Sequence, residues 1–274
     1  MRLIHLAAAL ALASGPAFAA GGETPGDLRA TASAESESWD ELRRLIFADR
    51  AVAEAGEMIT LEAPYRAHDA AVVPIEIRIA PPLGKTVRSF QIIIDENPAP
   101  VAAEFTPGPG LGRTIELSTR IRVDAYSNVR VIAELDDGEL FGAARFVKAS
   151  GGCSAPNLKD AEAALAAAGQ MKLRVFPAAD AARPEAQVML RHPQYSGFQM
   201  DQVTHLHIPA YFVDELEVVQ GEQLMFRMRG GISLSEDPSI RFSFTPSGEE
   251  PFQVRAADTD GDEYTGVFPA ALGS

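Results

Sequence analysis

Cys153 is the only cysteine among 274 residues, and it stands in Gly151-Gly152-Cys153-Ser154-Ala155-Pro156. A thiol beside two glycines has few neighbouring side chains to shield it. Glycine opens backbone conformations closed to other residues, and Pro156 stiffens the way out. The segment reads as a slender arm holding an exposed, reactive sulfur. The thiolate is the reactive form, and Lys148 is the nearest cation in sequence that favours it. A cysteine packed inertly in a turn is the alternative, because free cysteine is usually buried.

A second constellation is His192, His205 and His207, with Met200 nearby. On a strand, His205 and His207 point to one face, a spacing that copper or zinc can use. Nothing fixes a third ligand, and structural histidines on a β surface account for the same residues, so no metal is expected. Asp258-Thr259-Asp260-Gly261-Asp262-Glu263 has calcium-loop composition, but Gly261 falls fourth where a calcium loop needs glycine sixth. A hairpin turn explains it better. Gly84-Lys85-Thr86 imitates the end of a phosphate loop, yet the position five residues earlier is Ile79 rather than glycine. There is no Gly-x-Ser-x-Gly elbow, His-Glu-x-x-His pair or dinucleotide glycine set. His192 is available to pair with Cys153, but that cysteine lacks the helix N-terminus usual for such nucleophiles. The sequence supports no enzymatic chemistry.

These groups are positioned by a chain that changes character several times. Residues 1–19 read as a secretory signal peptide: Arg2, an apolar run from Leu3 to Ala13, and the small-residue site Ala17-Phe18-Ala19. Export places the protein in the periplasm of a host with two membranes. No later stretch approaches the ~18 apolar residues of a membrane helix. Residues 20–38 form a flexible lead-in. Trp39, Leu42, Leu45 and Ile46 then predict one face of a helix over 39–55.

From Met58 the period becomes two. Ile75, Ile77 and Ile79 alternate with Glu76 and Arg78, Ile115 and Leu117 flank Glu116, and Ile121 and Val123 flank Arg122. Further strands are predicted at 87–95, 129–134 and 140–148. Turn chemistries at Pro81-Pro82, Asn97-Pro98, Pro107-Gly108-Pro109-Gly110 and Asp136-Asp137-Gly138 separate them. An Ala-rich linker helix is expected over 157–170. A second strand series follows at 171–176, 187–191, 211–219, 223–229, 239–245, 252–257 and 264–268. The expected fold class is all-β: two immunoglobulin-like antiparallel β-sandwiches, over 39–156 and 171–274, joined by a short helical linker and preceded by an N-terminal helix. A net charge of −14 and a pI near 4.8 exclude nucleic acid as a natural partner. The same charge suits docking to a basic protein such as a c-type cytochrome.

The first half, with its Trp39-led helix, β-rich body and Gly151-Gly152-Cys153 ending, resembles the SoxY family of sulfur-substrate carriers. The second half resembles its partner family SoxZ, through Arg191-His192-Pro193 with Gly197, the segment Ile208 to Val213, and Asp258 to Tyr264 with Phe268. Their order in one exported chain resembles fused SoxYZ-like carriers found beside quinoprotein alcohol dehydrogenases. The resemblance covers about residues 39–269. It implies a non-enzymatic carrier with Cys153 as the covalent attachment point for a sulfur adduct, Gly151 and Gly152 as a flexible arm, no other cofactor, and periplasmic redox enzymes as partners. In SoxY the cysteine lies in a free Gly-Gly-Cys-Gly-Gly tail, whereas here Ser154-Ala155-Pro156 and a second domain tether it on both sides. Two further readings stay open: an assembly module for a quinoprotein dehydrogenase without thiol chemistry, and a copper or zinc protein using the three histidines.

Overall fold

The computed structural model describes residues 37–156, 161–176 and 183–270. The signal peptide, nearly all of the lead-in and the start of the linker lie outside these residues. Helix α1 (Glu37–Phe47) opens the chain. Eight strands follow: β1 (Val52–Glu54), β2 (Ile59–Glu62), β3 (Val73–Ile79), β4 (Val87–Ile94), β5 (Val101–Pro107), β6 (Ile115–Ile121), β7 (Ser127–Leu135) and β8 (Leu140–Val147). Helix α2 (Ala161–Ala166) lies in the expected linker. Seven more strands complete the chain: β9 (Met171–Phe176), β10 (Glu185–Leu190), β11 (Val213–Gln220), β12 (Gln223–Gly230), β13 (Ser239–Ser243), β14 (Phe252–Asp258) and β15 (Glu263–Phe268).

The strands form two sheets, and each half contributes to both. One runs β1-β8-β7-β4-β5-β12-β11-β14-β15 and the other β2-β3-β6-β13-β10-β9. Every pairing is antiparallel except β1 with β8. The sandwich architecture is as expected, but the halves are not merely strung on a linker. Strand β5 pairs with β12 from Ala103↔Gly230 to Pro107↔Phe226, and β6 pairs with β13 at Ser118↔Arg241 and Leu117↔Phe242.

The period-two patterns identify the buried face correctly. Val73, Ile75, Ile77 and Ile79 of β3 point inward and their neighbours outward. Across the join, aromatic rings continue the core. Phe90 stacks on Phe105 at 4.8 Å, Phe105 meets Phe226 at 5.7 Å, and Phe226 meets Phe242 edge-on at 5.2 Å. Phe244 and Phe252 extend the row. The Pro107-Gly108-Pro109-Gly110 turn packs on this join: a Cβ on Gly108 would lie 2.2 Å from the Leu224 carbonyl oxygen, and the Gly108 N–H donates to the Met225 carbonyl at 2.7 Å.

Two expectations are corrected. The first helix ends at Phe47, not Ala55, because Ala48 adopts a left-handed conformation (φ 54°) that terminates it. Val52–Glu54 then joins the sheet beside β8. Leu45 is 79% exposed, and the helix buries Trp39 and Phe47, which pack with Ile93, Ile132 and Leu140. Beneath Trp39, the Arg130 guanidinium lies 4.2 Å from the ring centroid and holds Asp95 through two 2.7 Å bonds, Nε to Oδ1 and Nη2 to Oδ2. The second correction is β5, a strand the periodicity did not reveal.

A core shared across the join should unfold as one unit. Phe226→Ala, in the second half, is expected to cost about 3–5 kcal/mol. It should lower the denaturation midpoint of Trp39 fluorescence, a first-half signal, together with that of the far-UV circular dichroism. A Trp39 transition that stays put while the dichroism midpoint falls would show two independently folding halves.

Candidate functional site: a buried thiol between the two halves

The chain leaves β8 and reaches Cys153 at the junction of the two sandwiches. The thiol is fully buried, at 0% exposure. This corrects the expectation of an exposed sulfur on a slender arm, and the reason is visible in the backbone. Gly151 has φ 79°, which turns the chain inward, and its N–H donates to the Asp124 carbonyl at 2.7 Å. The Gly152 N–H donates to the Val123 carbonyl at 3.1 Å. A Cβ on Gly152 would stand 2.2 Å from the Ala70 carbonyl oxygen and 2.7 Å from that of Val123. In this arrangement Gly152 permits close backbone packing.

Both halves hold the loop. From the first, Asp124 Oδ1 accepts from the Cys153 N–H at 3.0 Å and Arg122 Nη1 donates to the Gly152 carbonyl at 3.1 Å. From the second, the Ser196 hydroxyl donates to the Cys153 carbonyl, and Gln199 Nε2 to the Ala155 carbonyl at 3.0 Å. Arg122 Nη2 reaches across to the Gln194 carbonyl at 3.2 Å. Asn97 braces the same corner. Its amide nitrogen donates to the Arg122 carbonyl at 2.8 Å and to Ser233 Oγ at 2.9 Å, and its oxygen accepts from the Asp124 N–H at 2.8 Å.

The electrostatics favour the protonated thiol. Burial pushes Cys153 up to about 12, the Asp124 carboxylate adds to the rise, and the Arg122 guanidinium opposes it. Lys148, expected to assist the thiolate, instead lies over the Tyr65 ring at 4.8 Å. Arg122 is the cation that acts on the sulfur. Arg122 stands between Ile121 and Val123, but β6 ends at Ile121 and the guanidinium turns inward to 1% exposure.

The segment closing over Cys153 is shaped by buried polar contacts. Gln194 takes a left-handed conformation (φ 49°), and its Oε1 accepts from the Val213 N–H at 2.6 Å. His192 Nδ1 accepts from the Gln194 N–H at 3.1 Å. The His192 ring packs on Tyr211 at 4.4 Å, and Nε2 lies 3.5 Å from Asp258 Oδ2. Burial holds the His192 pKa below its ordinary value, outweighing the pull of Asp258, so this histidine is neutral near pH 7.

His205 and His207 do not share a strand face. They sit on an exposed loop, with His205 in a left-handed turn (φ 56°), and His192 is buried elsewhere. Among the described residues no group of three His, Cys, Asp or Glu side chains could hold a metal ion. Asp258 to Glu263 form the expected hairpin turn. Asp258 Oδ1 accepts from the N–H groups of Asp260 and Asp262, and Tyr264 donates to Oδ2 at 2.6 Å. Sequence reasoning missed Arg122, Asp124, Asn97, Ser196 and Gln199. The available signal was Arg122 itself, a long cation set between two apolar residues where a strand was about to end.

No curated protein matches the sequence. Among solved structures, the sulfur carrier protein SoxY from Chlorobium limicola f thiosulfatophilum is 24% identical over 41% of this chain and 91% of that one, with a TM-score of 0.33. A superoxide reductase (neelaredoxin) from Ignicoccus hospitalis is 12% identical over 33% and 78%, with a TM-score of 0.28. Family models divide the chain at the place where its two halves meet. Residues 43–153 match Sulfur oxidation protein SoxY, ending on Cys153 itself. Residues 175–269 match Sulphur oxidation protein SoxZ, which includes the segment from Gln194 to Gln199 that closes over the thiol. The chain is thus a SoxY domain fused to a SoxZ domain, with the last residue of the first match buried against the second.

Proposed function

We propose that this protein is a periplasmic, non-enzymatic carrier that holds a sulfur species covalently on Cys153 and presents it to partner redox enzymes. One observation carries the reading: the sole cysteine ends the SoxY match and is enclosed by the SoxZ domain. The thiolate attacks an activated sulfur–sulfur bond, the new bond forms at Sγ, and the leaving group departs with the bonding pair.

On this reading the carrier is gated. Six hydrogen bonds hold residues 151–155 to Val123, Asp124, Arg122, Ser196 and Gln199. At about 1 kcal/mol net each, spontaneous opening costs about 6 kcal/mol and exposes the thiol in roughly one molecule in 10⁴. Loading and delivery then require a partner whose contacts offset that cost. The net charge of −14 suits a basic c-type cytochrome or the basic face of a quinoprotein dehydrogenase.

A second reading has its own support. Burial of Cys153 also fits an inert thiol. Phe198, Met200, Val203 and Leu206 stand exposed on the loop beyond the Cys153 contacts, as an assembly module for a quinoprotein dehydrogenase requires.

The two readings diverge in the intact mass of protein exported by its native host, taken before and after mild reductant. The carrier predicts a reductant-labile, sulfur-containing adduct on Cys153 that is absent from a folded Cys153→Ser variant. An unmodified mass, with full function in the Cys153→Ser strain, supports the assembly module instead. The same exported protein is expected to begin at Ala20; an N-terminus at Met1 would refute export through the signal at 1–19.

Alkylation gives an independent check on the gate. With its pKa near 12, the native thiol at pH 8 has roughly three orders of magnitude less thiolate than a free cysteine. Iodoacetamide labelling is expected to be slow in the native state, to quicken about tenfold per pH unit from 8 to 11, and to be fast in urea. Rapid native labelling at pH 8 would mean that the loop is open.

A further inference from the structure

The outer face of the six-stranded sheet carries a groove of about 950 Å³, where β6 of the first half lies beside β13, β10 and β9 of the second. The strand register sets what lines it. Arg241 pairs with Ser118 on one side and Gln187 on the other, and Gln187 pairs with Arg174. Two residues along each strand, and so on the same face, Ser239 pairs with Met189 and Met189 with Lys172, with Arg120 at the first-half end of that row.

The charge of this groove runs against that of the whole chain. Net charge is −14, yet Arg120, Lys172, Arg174, Arg191 and Arg241 line the groove against two carboxylates, Glu76 and Asp237. Two of the cations are engaged: Arg191 Nη1 donates to Asp237 Oδ2 at 2.5 Å, and Arg241 Nε to Glu185 Oε2 at 2.8 Å. Arg120 Nη2 donates to a backbone carbonyl, that of Asp237, at 2.8 Å. Lys172 and Arg174 are exposed and have no ion pair among the described residues. Cations on an edge strand such as β9 also discourage pairing with other chains, but that role does not call for Arg120, three strands further in.

The spacing selects the shape of an anionic occupant. Strands lie ~4.8 Å apart, so Arg120 and Lys172 start from backbones about 14 Å apart. A small oxyanion meets one or two of the cations. An extended peptide places alternate side chains on one side every ~6.6 Å, so three carboxylates at alternate positions span about 13 Å. We propose that this groove docks an extended segment of a partner protein with carboxylates on alternate residues, laid across the join of the two halves. The acidic remainder of the surface repels a broadly acidic globule or a nucleic acid, whereas a short segment meets the groove alone. The proposal is independent of any chemistry at Cys153.

The test is fluorescence anisotropy of a labelled eight-residue peptide of alternating Glu and Ser, titrated with the full chain at about 20 mM salt, where screening is weak. Saturable binding is expected, with none for the matching Gln and Ser peptide. Lys172→Ser with Arg174→Ser should weaken it about tenfold, as the loss of two exposed charge contacts implies. Arg120→Gln should weaken it about threefold. Arg229→Ser with Arg255→Ser removes the same charge from exposed positions on the other sheet and should leave binding unchanged. No saturable binding, or equal weakening by both double variants, would overturn the proposal. Unchanged affinity in Arg120→Gln would overturn the span across the join. Displacement of the peptide by sulfate beyond that by chloride of equal ionic strength would make this a small-anion site instead. A hexathymidylate bound as tightly as the peptide would equally refute a peptide-docking groove. Each of these failures leaves the carrier reading standing.

Discussion

Five residue pairs between β5 and β12, and two between β6 and β13, turn two small sandwiches into one continuous pair of sheets. Each pairing covers a strand edge that would otherwise offer unsatisfied N–H and C=O groups to solvent or to other chains. The row of phenylalanines from Phe90 to Phe252 passes through this join, so the backbone pairing and the apolar core reinforce each other. A covalent linker then matters less for holding the halves together than for supplying both in equal number.

The same join makes the thiol site. Cys153 leaves the SoxY domain where the SoxZ domain begins to cover it, and neither domain alone has the full set of contacts. Arg122, Asp124 and Asn97 come from one side, and Gln194, Ser196, Gln199 and Ser233 from the other. Asn97 ties the two halves together at this corner. It bonds Ser233 of the second half and, in the same side-chain amide, the backbone on either side of Val123. A partner that displaces the Gln194–Gln199 segment removes the Ser196 and Gln199 bonds and the carbonyl of Gln194 from Arg122 together. On the proposed carrier reading, protection and release would then draw on one set of interactions.

Burial would serve the thiol well in the oxidising compartment proposed for this protein. The protonated form favoured here is the unreactive one, and a lone cysteine has no internal partner with which to form a protective disulfide. The cost is that the resting thiol is a poor nucleophile. A carrier built this way depends on opening for its chemistry, with partner contacts doing what a low pKa does in a permanently exposed thiol.

Much of this was legible in the sequence, because it follows from local chemistry. Alternating Val, Ile and Leu residues marked the inward faces of β3 and β6, Gly and Pro clusters marked the turns, and Asp258 to Glu263 formed the hairpin their residue types favour. Cys153 stood out by its uniqueness and its neighbours. Strand β5 did not stand out: Val101-Ala102-Ala103-Glu104-Phe105 lacks clean alternation, because Ala102 and Ala103 are both buried. The direction of the thiol was equally hidden. Two glycines license an extended arm and a tight inward turn alike, and only the Ala70 and Val123 carbonyls, more than 25 residues away in sequence, select the turn. The sequence by itself determined which residues could bear the chemistry and which faces were apolar, since periodicity and composition are local properties. Whether Cys153 is shielded, and which cation it meets, was decided by tertiary structure alone, because burial and Coulomb interaction depend on distances that non-local strand pairing sets.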